Sequence, residues 1–204
     1  MDAKSHWEAV YGAKAAHAVS WYRPHLEMSL AFIEHAGPGP SAAIVDVGGG
    51  ESTLADDLLA QGYENLTVFD ISATALEETK KRLGANADRI RWIAGDVTEA
   101  ELPQHAYDIW HDRAVFHFLT SPTQRAAYVL QASIAVKPGG HLIIATFAAS
   151  GPPRCSGLEV IRYTAESLVQ ELGERFRLVE NTEELHHTPS GGVQPFVYAR
   201  FHVI

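Results

Sequence analysis

Residues 44–54 read IVDVGGGESTL, a short apolar run, an aspartate, three glycines and a serine. An apolar run that breaks on glycine reads as a buried strand turning sharply into the next element, and Leu54 and Leu58 just beyond it sit at helical spacing. In an open α/β sheet, a glycine-rich strand-to-helix turn lies beyond the carboxyl ends of the strands and lets a ligand approach the backbone closely. A second apolar run ends on Asp70, at a distance along the chain where a carboxylate accepts hydrogen bonds from both ribose hydroxyls. The pair indicates an adenosine-type ligand. The dinucleotide pattern G-x-G-x-x-G/A, counted from Gly48 and Gly50, would put β-branched Thr53 where helix and strand must touch, which argues against a nicotinamide dinucleotide. The pattern D-x-G-x-G followed two residues later by a small residue fits Asp46, Gly48, Gly50 and Ser52.

Outward from this turn, strand-like and helix-like runs alternate: AAIVDV, STLADDLLAQG, LTVFD, SATALEETKKRLG, IRWIAGD, YDIWHD, SPTQRAAYVLQASIAV and HLIIATF. Strands joined through helices run parallel and are covered on both faces, so a doubly wound α/β sheet is predicted. Leu54 with Leu58, and Ala126 with Leu130 and Ile134, are spaced to give each helix an apolar face for the sheet. Ser72, and Ser121 before Pro122, read as helix starts, and KPGG at 137–140 as a tight turn into a strand. Upstream, Leu26, Leu30 and Ile33 at helical spacing follow an aromatic-rich stretch holding Trp7, Tyr11, Trp21 and Tyr22. Downstream, a helix around Ala165, Leu168 and Leu172 precedes FRLVEN and FVYARFHV, whose connection is too short for a crossover, so they must pair antiparallel. The loops HAGPGPS at 35–41 and ASGPPRCSG at 149–157 joint a single domain, 1–204, into parts 1–40, 41–148 and 149–204.

The formal net charge of -9 opposes a phosphate backbone and no dense Lys/Arg run offsets it, so nucleic acid is not an expected partner. No apolar stretch reaches membrane-spanning length, and the first twenty residues lack the apolar core of an export signal, so no membrane association is expected. Cys155 is the only cysteine, which leaves no intramolecular disulfide or cysteine metal cluster and fits a reducing, cytoplasmic setting.

In this order and spacing the chain resembles, over essentially its whole length, the class I (seven-stranded) S-adenosylmethionine-dependent methyltransferases. DVGGGES is similar to their first motif, with Ser52 in place of the usual last glycine. VFDIS and AGDVTE are similar to the second and third, and YDIWHD and VKPGGHLIIATF to the fourth and fifth strands. The terminal hairpin is similar to the antiparallel sixth and seventh strands, which dinucleotide dehydrogenases generally lack. The resemblance implies a mostly parallel seven-stranded sheet closed by that hairpin, with helices on both faces. It implies S-adenosylmethionine as cofactor, S-adenosylhomocysteine as product, and no metal. It places Asp46, Gly48, Gly49, Gly50 and Ser52 around the cofactor, Asp70 on the ribose, Ile71 beside the adenine, and Asp96 with the Val97 backbone at the adenine edge. His111, at the strand that ends nearest the reacting methyl, is expected to touch the cofactor. Region 1–40 becomes a helical lid at the entrance, 41–148 the cofactor-binding core, and 149–204 the acceptor-side helix and closing hairpin.

Methyl transfer is an in-line displacement on an already activated sulfonium methyl, so alignment and desolvation can supply much of the rate and a general base is optional. The segment WHDRAVFHFL lacks the Asn-Pro-Pro-aromatic motif of enzymes that methylate amide or base nitrogens. It is similar instead to the Asp-Lys-Gly segment of a eukaryotic protein-lysine methyltransferase group, with Asp112, Arg113 and Ala114 in those places, and HWEAVYGAK…VSWY is similar to that group's N-terminus. A small molecule is therefore the expected acceptor and a protein lysine the alternative. Candidates for acceptor chemistry are His111, Asp112 and His117; candidates for acceptor binding are Trp21, Tyr22, Arg113, Arg162, Tyr163 and His186, with Arg162 as a charge partner and a histidine as base. Trp21 and Tyr22, between two helices, are expected in a lid, and Trp7 and Tyr11 in the core. The histidines have no metal-binding spacing, so no metal site is expected. A monomer or homodimer is expected. A nicotinamide oxidoreductase is opposed by Thr53 and the hairpin, while a non-catalytic S-adenosylmethionine-binding protein would differ only in lacking turnover. Gly48→Val is expected to abolish cofactor binding in a folded protein.

Overall fold

A computed structural model describes residues 2–37 and 39–204; Met1 and Pro38, the latter within the HAGPGPS loop, lie outside the described residues. Helix α1 (Ala3–Ala13) is capped by Asp2, whose side chain accepts the Ser5 N–H, and a single turn at Ala16–Ala18 leads on to α2 (Glu27–His35). There follow β1 (Ala43–Val47), α3 (Leu54–Ala60), β2 (Asn65–Asp70), α4 (Ala73–Leu83), β3 (Ile90–Ala94) and β4 (Tyr107–Arg113). A turn at Phe116–Phe118 precedes α5 (Pro122–Ala135) and β5 (Val136–Phe147). A two-stranded ribbon of β6 (Arg154–Cys155) and β7 (Leu158–Glu159) comes next, then α6 (Ala165–Leu172), β8 (Phe176–His187) and β9 (Val193–Val203).

The seven-stranded sheet has the order β3-β2-β1-β4-β5-β9-β8, with the first five strands parallel and β9 antiparallel to both its neighbours. This is the doubly wound sheet with a closing hairpin that the alternation of runs predicts. The chain winds outward from β1 in one direction and then, from β4, in the other, so a crevice is left beyond the ends of β1 and β4. Alternation along β1 divides the core. Ile44 meets Phe32, Leu54 and Leu58 on the α2/α3 face, whereas Val45 and Val47 join Tyr128 and Leu168 on the α5/α6 face.

The expected helix starts cap as expected, Ser72 accepting the Ala75 N–H and Ser121 the Thr123 N–H with Pro122 in the first turn. The apolar face of α5 is different from the predicted one. Leu130 is 56 % exposed, and the helix instead buries Tyr128, Ala132 and Ala135. The reason is Asp112 and Trp110 beneath it: Tyr128 donates its hydroxyl to Asp112 Oδ2 (2.6 Å) and accepts from Trp110 Nε1 (2.9 Å), and the two alanines let the helix close on the strand. The KPGG stretch lies within β5 as an irregularity, the partner residues jumping from Val136 to His141 while β4 advances from Tyr107 to Ile109. Both hairpin strands extend further than FRLVEN and FVYARFHV, because the residues to His187 keep up a period-2 alternation along the sheet edge.

Candidate functional site

Strands β1 and β4 end side by side, with Val47 opposite Asp112, and a cleft opens at their carboxyl ends. One end of it is walled by Gly48, Asp70, Ile71, Asp96 and Val97. The glycine loop is tied to β2 through the Phe69 carbonyl, which accepts from Gly48 N (2.7 Å) and Gly49 N (3.2 Å). Gly48 has φ +71°, and a β-carbon there would collide with Val115 Cγ2, so this turn needs glycine on both conformational and steric grounds. The expectation for Gly48→Val is thereby corrected. The added side chain would strain the backbone and displace Val115, itself a wall of the cleft, and so would disturb the fold along with the ligand space. Ser52 Oγ accepts the Leu54 N–H at 3.1 Å, holding the start of α3.

Asp70 is buried at the end of β2, and its Oδ1 accepts the Ser72 N–H at 2.8 Å. Burial pushes its pKa up to about 7, with the Asp46 charge adding to the rise and the Ser72 and Gly50 N–H groups opposing it. Asp96 Oδ1 accepts both the Thr98 N–H (2.8 Å) and the Thr98 hydroxyl (2.7 Å), which closes the turn that holds Val97 against the cleft.

The other end is aromatic. Trp7 packs edge-on to Trp21 (5.8 Å between centroids) and to Phe118 (5.0 Å), while Phe147 and Phe196 form the floor at 4.9 Å from each other. Trp7 and Tyr11, expected in the core, stand at the cleft instead, because α1 buries no residue fully and lies over the site. The Tyr11 hydroxyl is 2.7 Å from where a β-carbon of Gly50 would be. What docks α1 is Glu8, whose carboxylate accepts the Ser72 hydroxyl (2.9 Å), the Ala73 N–H (2.8 Å) and the Thr74 N–H (3.2 Å), the free donors at the start of α4. Trp21 reaches both the cleft and a second, smaller hollow; Tyr22 reaches only the hollow.

That hollow is lined by Arg23, Asp46, Gly48, Glu51, Ser52 and His111, among others. Asp46 and His111 are cross-strand neighbours on the α2 face. His111 Nδ1 donates to Asp46 Oδ1 (2.7 Å) and its Nε2 pairs with Ser29 Oγ (2.9 Å), so the ring is held between the sheet and α2 and is not aimed into the cleft. Asp112, pointing to the opposite face, accepts from Tyr128 and from the Val115 (2.8 Å) and Phe116 (3.2 Å) N–H groups, and burial lifts its pKa to about 6. It braces the turn after β4 and lines neither cavity.

Arg113 lines the cleft, but its Nε donates to Tyr198 OH (3.0 Å), one terminal nitrogen to the Trp21 carbonyl (3.1 Å) and the other to His186 Nδ1 (3.5 Å), with the guanidinium over the Phe196 ring. His186 is buried behind it, Nε2–H donating to the Ser20 carbonyl at 2.7 Å. Tyr163 is buried against Phe116, and Arg162 donates to the Gly151 carbonyl (3.3 Å); neither lines the cleft, nor does His186. His117 does line it, as does Cys155, whose thiol burial pushes up to about 11. Among the described residues no group of three or more His, Cys, Asp or Glu side chains could hold a metal ion, and no helix is long and apolar enough to cross a membrane.

The residues that sequence reasoning missed are Glu8, Ser29, Val115, Phe118, Phe147 and Phe196. Each comes to the site through a long-range contact. Val115 and Phe118 lie inside WHDRAVFHFL, Glu8 inside HWEAVYGAK, Phe147 ends HLIIATF and Phe196 opens FVYARFHV, but nothing local in those stretches marks them as site residues.

A family model described as "Methyltransferase domain" matches residues 44–140. The chain is 27 % identical over 108 residues to the eEF1A lysine and N-terminal methyltransferase of Bos taurus, covering 53 % of this chain and 15 % of that one. It is 34 % identical over 110 residues to an uncharacterised methyltransferase of Mycobacterium tuberculosis, covering 54 % and 53 %. The chain thus spans a small part of the first relative's length and about half of the second's. Its fold is similar to that of a Burkholderia thailandensis 1,6-didemethyltoxoflavin-N1-methyltransferase solved with 1,6-didemethyltoxoflavin and S-adenosylhomocysteine, at TM-score 0.70 and 19 % identity, over 98 % of this chain and 83 % of that one.

Proposed function

Because the chain belongs to the class I S-adenosylmethionine-dependent methyltransferases, we propose that it transfers the methyl group of S-adenosylmethionine to a small-molecule nucleophile held beneath α1. The carrying observation is the asymmetry of one continuous cleft, with glycine backbone and carboxylates at one end and aromatic rings at the other. The residues present fit the cofactor: a glycine turn with no space for a β-carbon, and a buried carboxylate at the end of β2. Asp70 would accept the ribose hydroxyls, Ile71 would flank the adenine, and Asp96 with the Val97 N–H would meet its edge. In the adjoining hollow, Asp46, bound to His111, and Arg23, ion-paired with Glu184 at 2.7 Å, would face the zwitterionic amino-acid end beside Gly48, Gly49 and Ser52.

When bound, the cofactor supplies a sulfonium methyl whose bonding electrons remain on sulfur as the acceptor's lone pair takes the carbon. The chain's own part is alignment and exclusion of water. Trp7, Tyr11, Trp21 and Phe118 roof the aromatic end, and Glu8 holds the roof down. His111 fixes the Asp46 carboxylate, which lies close beneath Gly49. Incubation with methyl-labelled S-adenosylmethionine and a panel of uncharged heteroaromatics, phenols, amines and thiols tests the reading; label in a small product supports it. Label found only in protein would favour the second reading, protein-lysine methylation, for which the likeness to the bovine enzyme speaks.

A further inference from the structure

We infer that His117 is a hydrogen-bond donor, fixed in its neutral Nε2–H form, that selects an uncharged acceptor substrate presenting a carbonyl, ether or ring-nitrogen lone pair. The inference rests on the methyltransferase reading for the identity of the site, but its geometry stands by itself. His117 is fully buried, and its ring lies against Phe118 (4.5 Å between centroids) and Phe147 (4.7 Å). Its Nδ1 takes the Phe147 backbone N–H at 3.2 Å. A backbone N–H can only donate, so Nδ1 carries no proton and the neutral ring carries it on Nε2. That Nε2 has no partner among the described residues, although the ring lines the cleft. A buried donor left unpaired costs stability, and here a ligand is the partner still missing.

The charges around the cleft choose the class of ligand. Its only described acidic lining residues, Asp70 and Asp96, are at the far, glycine end, so an ammonium beside His117 would find no carboxylate. Arg113 is the only described Lys or Arg in the lining; three of its five N–H groups donate to Tyr198, the Trp21 carbonyl and His186, and its guanidinium lies over the Phe196 ring. A neutral, flat molecule satisfies the rings of Phe147 and Phe196 and gives the imidazole N–H an acceptor. Burial, with Arg113 nearby, pushes the ring's pKa down to about 3, which keeps the donor neutral at working pH. His117 is then a positioning group, unable to serve as the general base that the sequence suggested, since one nitrogen holds a proton and the other a hydrogen bond.

The test uses ¹⁵N-histidine-labelled protein, with the His117 ring assigned by loss of its signals in His117→Gln. The ligand-free protein should show the Nε2–H tautomer with no titration between about pH 5.5 and 8. Three isosteric probes are then titrated with S-adenosylhomocysteine present: acetophenone, its hydrocarbon analogue α-methylstyrene, and the anion benzoate. Acetophenone should shift the Nε2 signal and bind about fivefold tighter than α-methylstyrene, with benzoate weakest, and His117→Phe should make acetophenone and α-methylstyrene equal. His117→Gln, which still ends in an N–H, should keep part of the preference. An Nδ1–H tautomer or titration within that pH range would overturn the donor assignment. Equal or tighter binding of benzoate, or binding of none of the probes, would overturn the substrate class. Failure of S-adenosylhomocysteine to bind would instead sink the methyltransferase reading and leave the tautomer result standing.

Discussion

At one end of the cleft the walls are glycine backbone with the carboxylates of Asp70 and Asp96; at the other they are Trp7, Trp21, Phe118, Phe147 and Phe196 around the His117 imidazole, with the Arg113 guanidinium lying over Phe196. The first end suits a ligand rich in hydroxyls and ring edges, because it offers acceptors at fixed positions. The second offers mostly apolar surface, so what it contributes is exclusion of water and a few directional contacts, the His117 N–H among them. The difference teaches that recognition of the donor and handling of the acceptor are physically separable here, and substitutions should strike one without the other.

The largest separation is expected from Asp70→Ala, which should weaken S-adenosylhomocysteine binding by on the order of 1–3 kcal/mol, as a charged acceptor for two hydroxyls is lost. Calorimetry reads it, and unchanged affinity would break the assignment of the two ends. The same carboxyl sets a pH dependence. Burial raises it to about 7, so the ionised form that accepts hydroxyl protons is lost as pH falls through 7, and affinity at pH 6 should be about tenfold below that at pH 8. In the ligand-free protein the sign reverses. A raised carboxyl pKa means the folded state holds the extra proton between about pH 4 and 7, so Asp70's contribution to stability falls as pH rises across that window. Asp70→Asn should flatten that part of the Tm profile.

Gly48→Ala should follow, lowering stability by about 1 kcal/mol or more for a β-carbon at φ +71° pressed on Val115, with loss of cofactor affinity alongside. A Tm unchanged in differential scanning calorimetry would mean that the loop relaxes freely. The smallest effect belongs to Glu8→Gln, which removes a charge from the start of α4 and should cost about 0.5–1 kcal/mol of α1 docking. It should speed hydrogen exchange in α1 while leaving the sheet amides unchanged; equal protection of α1 in both proteins would show that the aromatic contacts alone hold the roof.

Legibility in the sequence followed the same division. The glycine turn, Asp70, Ile71, Asp96 and Val97 all sit at strand ends that apolar runs announce, so a few consecutive residues carry both the fold and the site. The closing hairpin was legible for a similar reason, since a short connection forbids a parallel crossover. The aromatic end is assembled from α1, the turn after β4, β5 and β9, residues 7 to 196 in sequence, and no local spacing encodes it. His111 illustrates the limit. Its position on β4 was legible, but its orientation depended on strand phase and on Ser29 in α2, which together bury the ring beside Asp46. Arg162, Tyr163 and His186 were polar or aromatic residues in the right part of the chain, yet their side chains are taken up by backbone carbonyls and core contacts. The α5 stripe failed at Leu130 because a tyrosine's hydroxyl partners outweighed the aliphatic spacing.

The most direct measurement is a calorimetric titration of the wild-type protein at pH 8 with S-adenosylmethionine and S-adenosylhomocysteine, alongside NAD. The account expects both sulfur ligands to bind one per chain and NAD to give no heat of binding. Binding of NAD without either sulfur ligand would contradict it, and with it the assignment of the glycine and carboxylate end of the cleft.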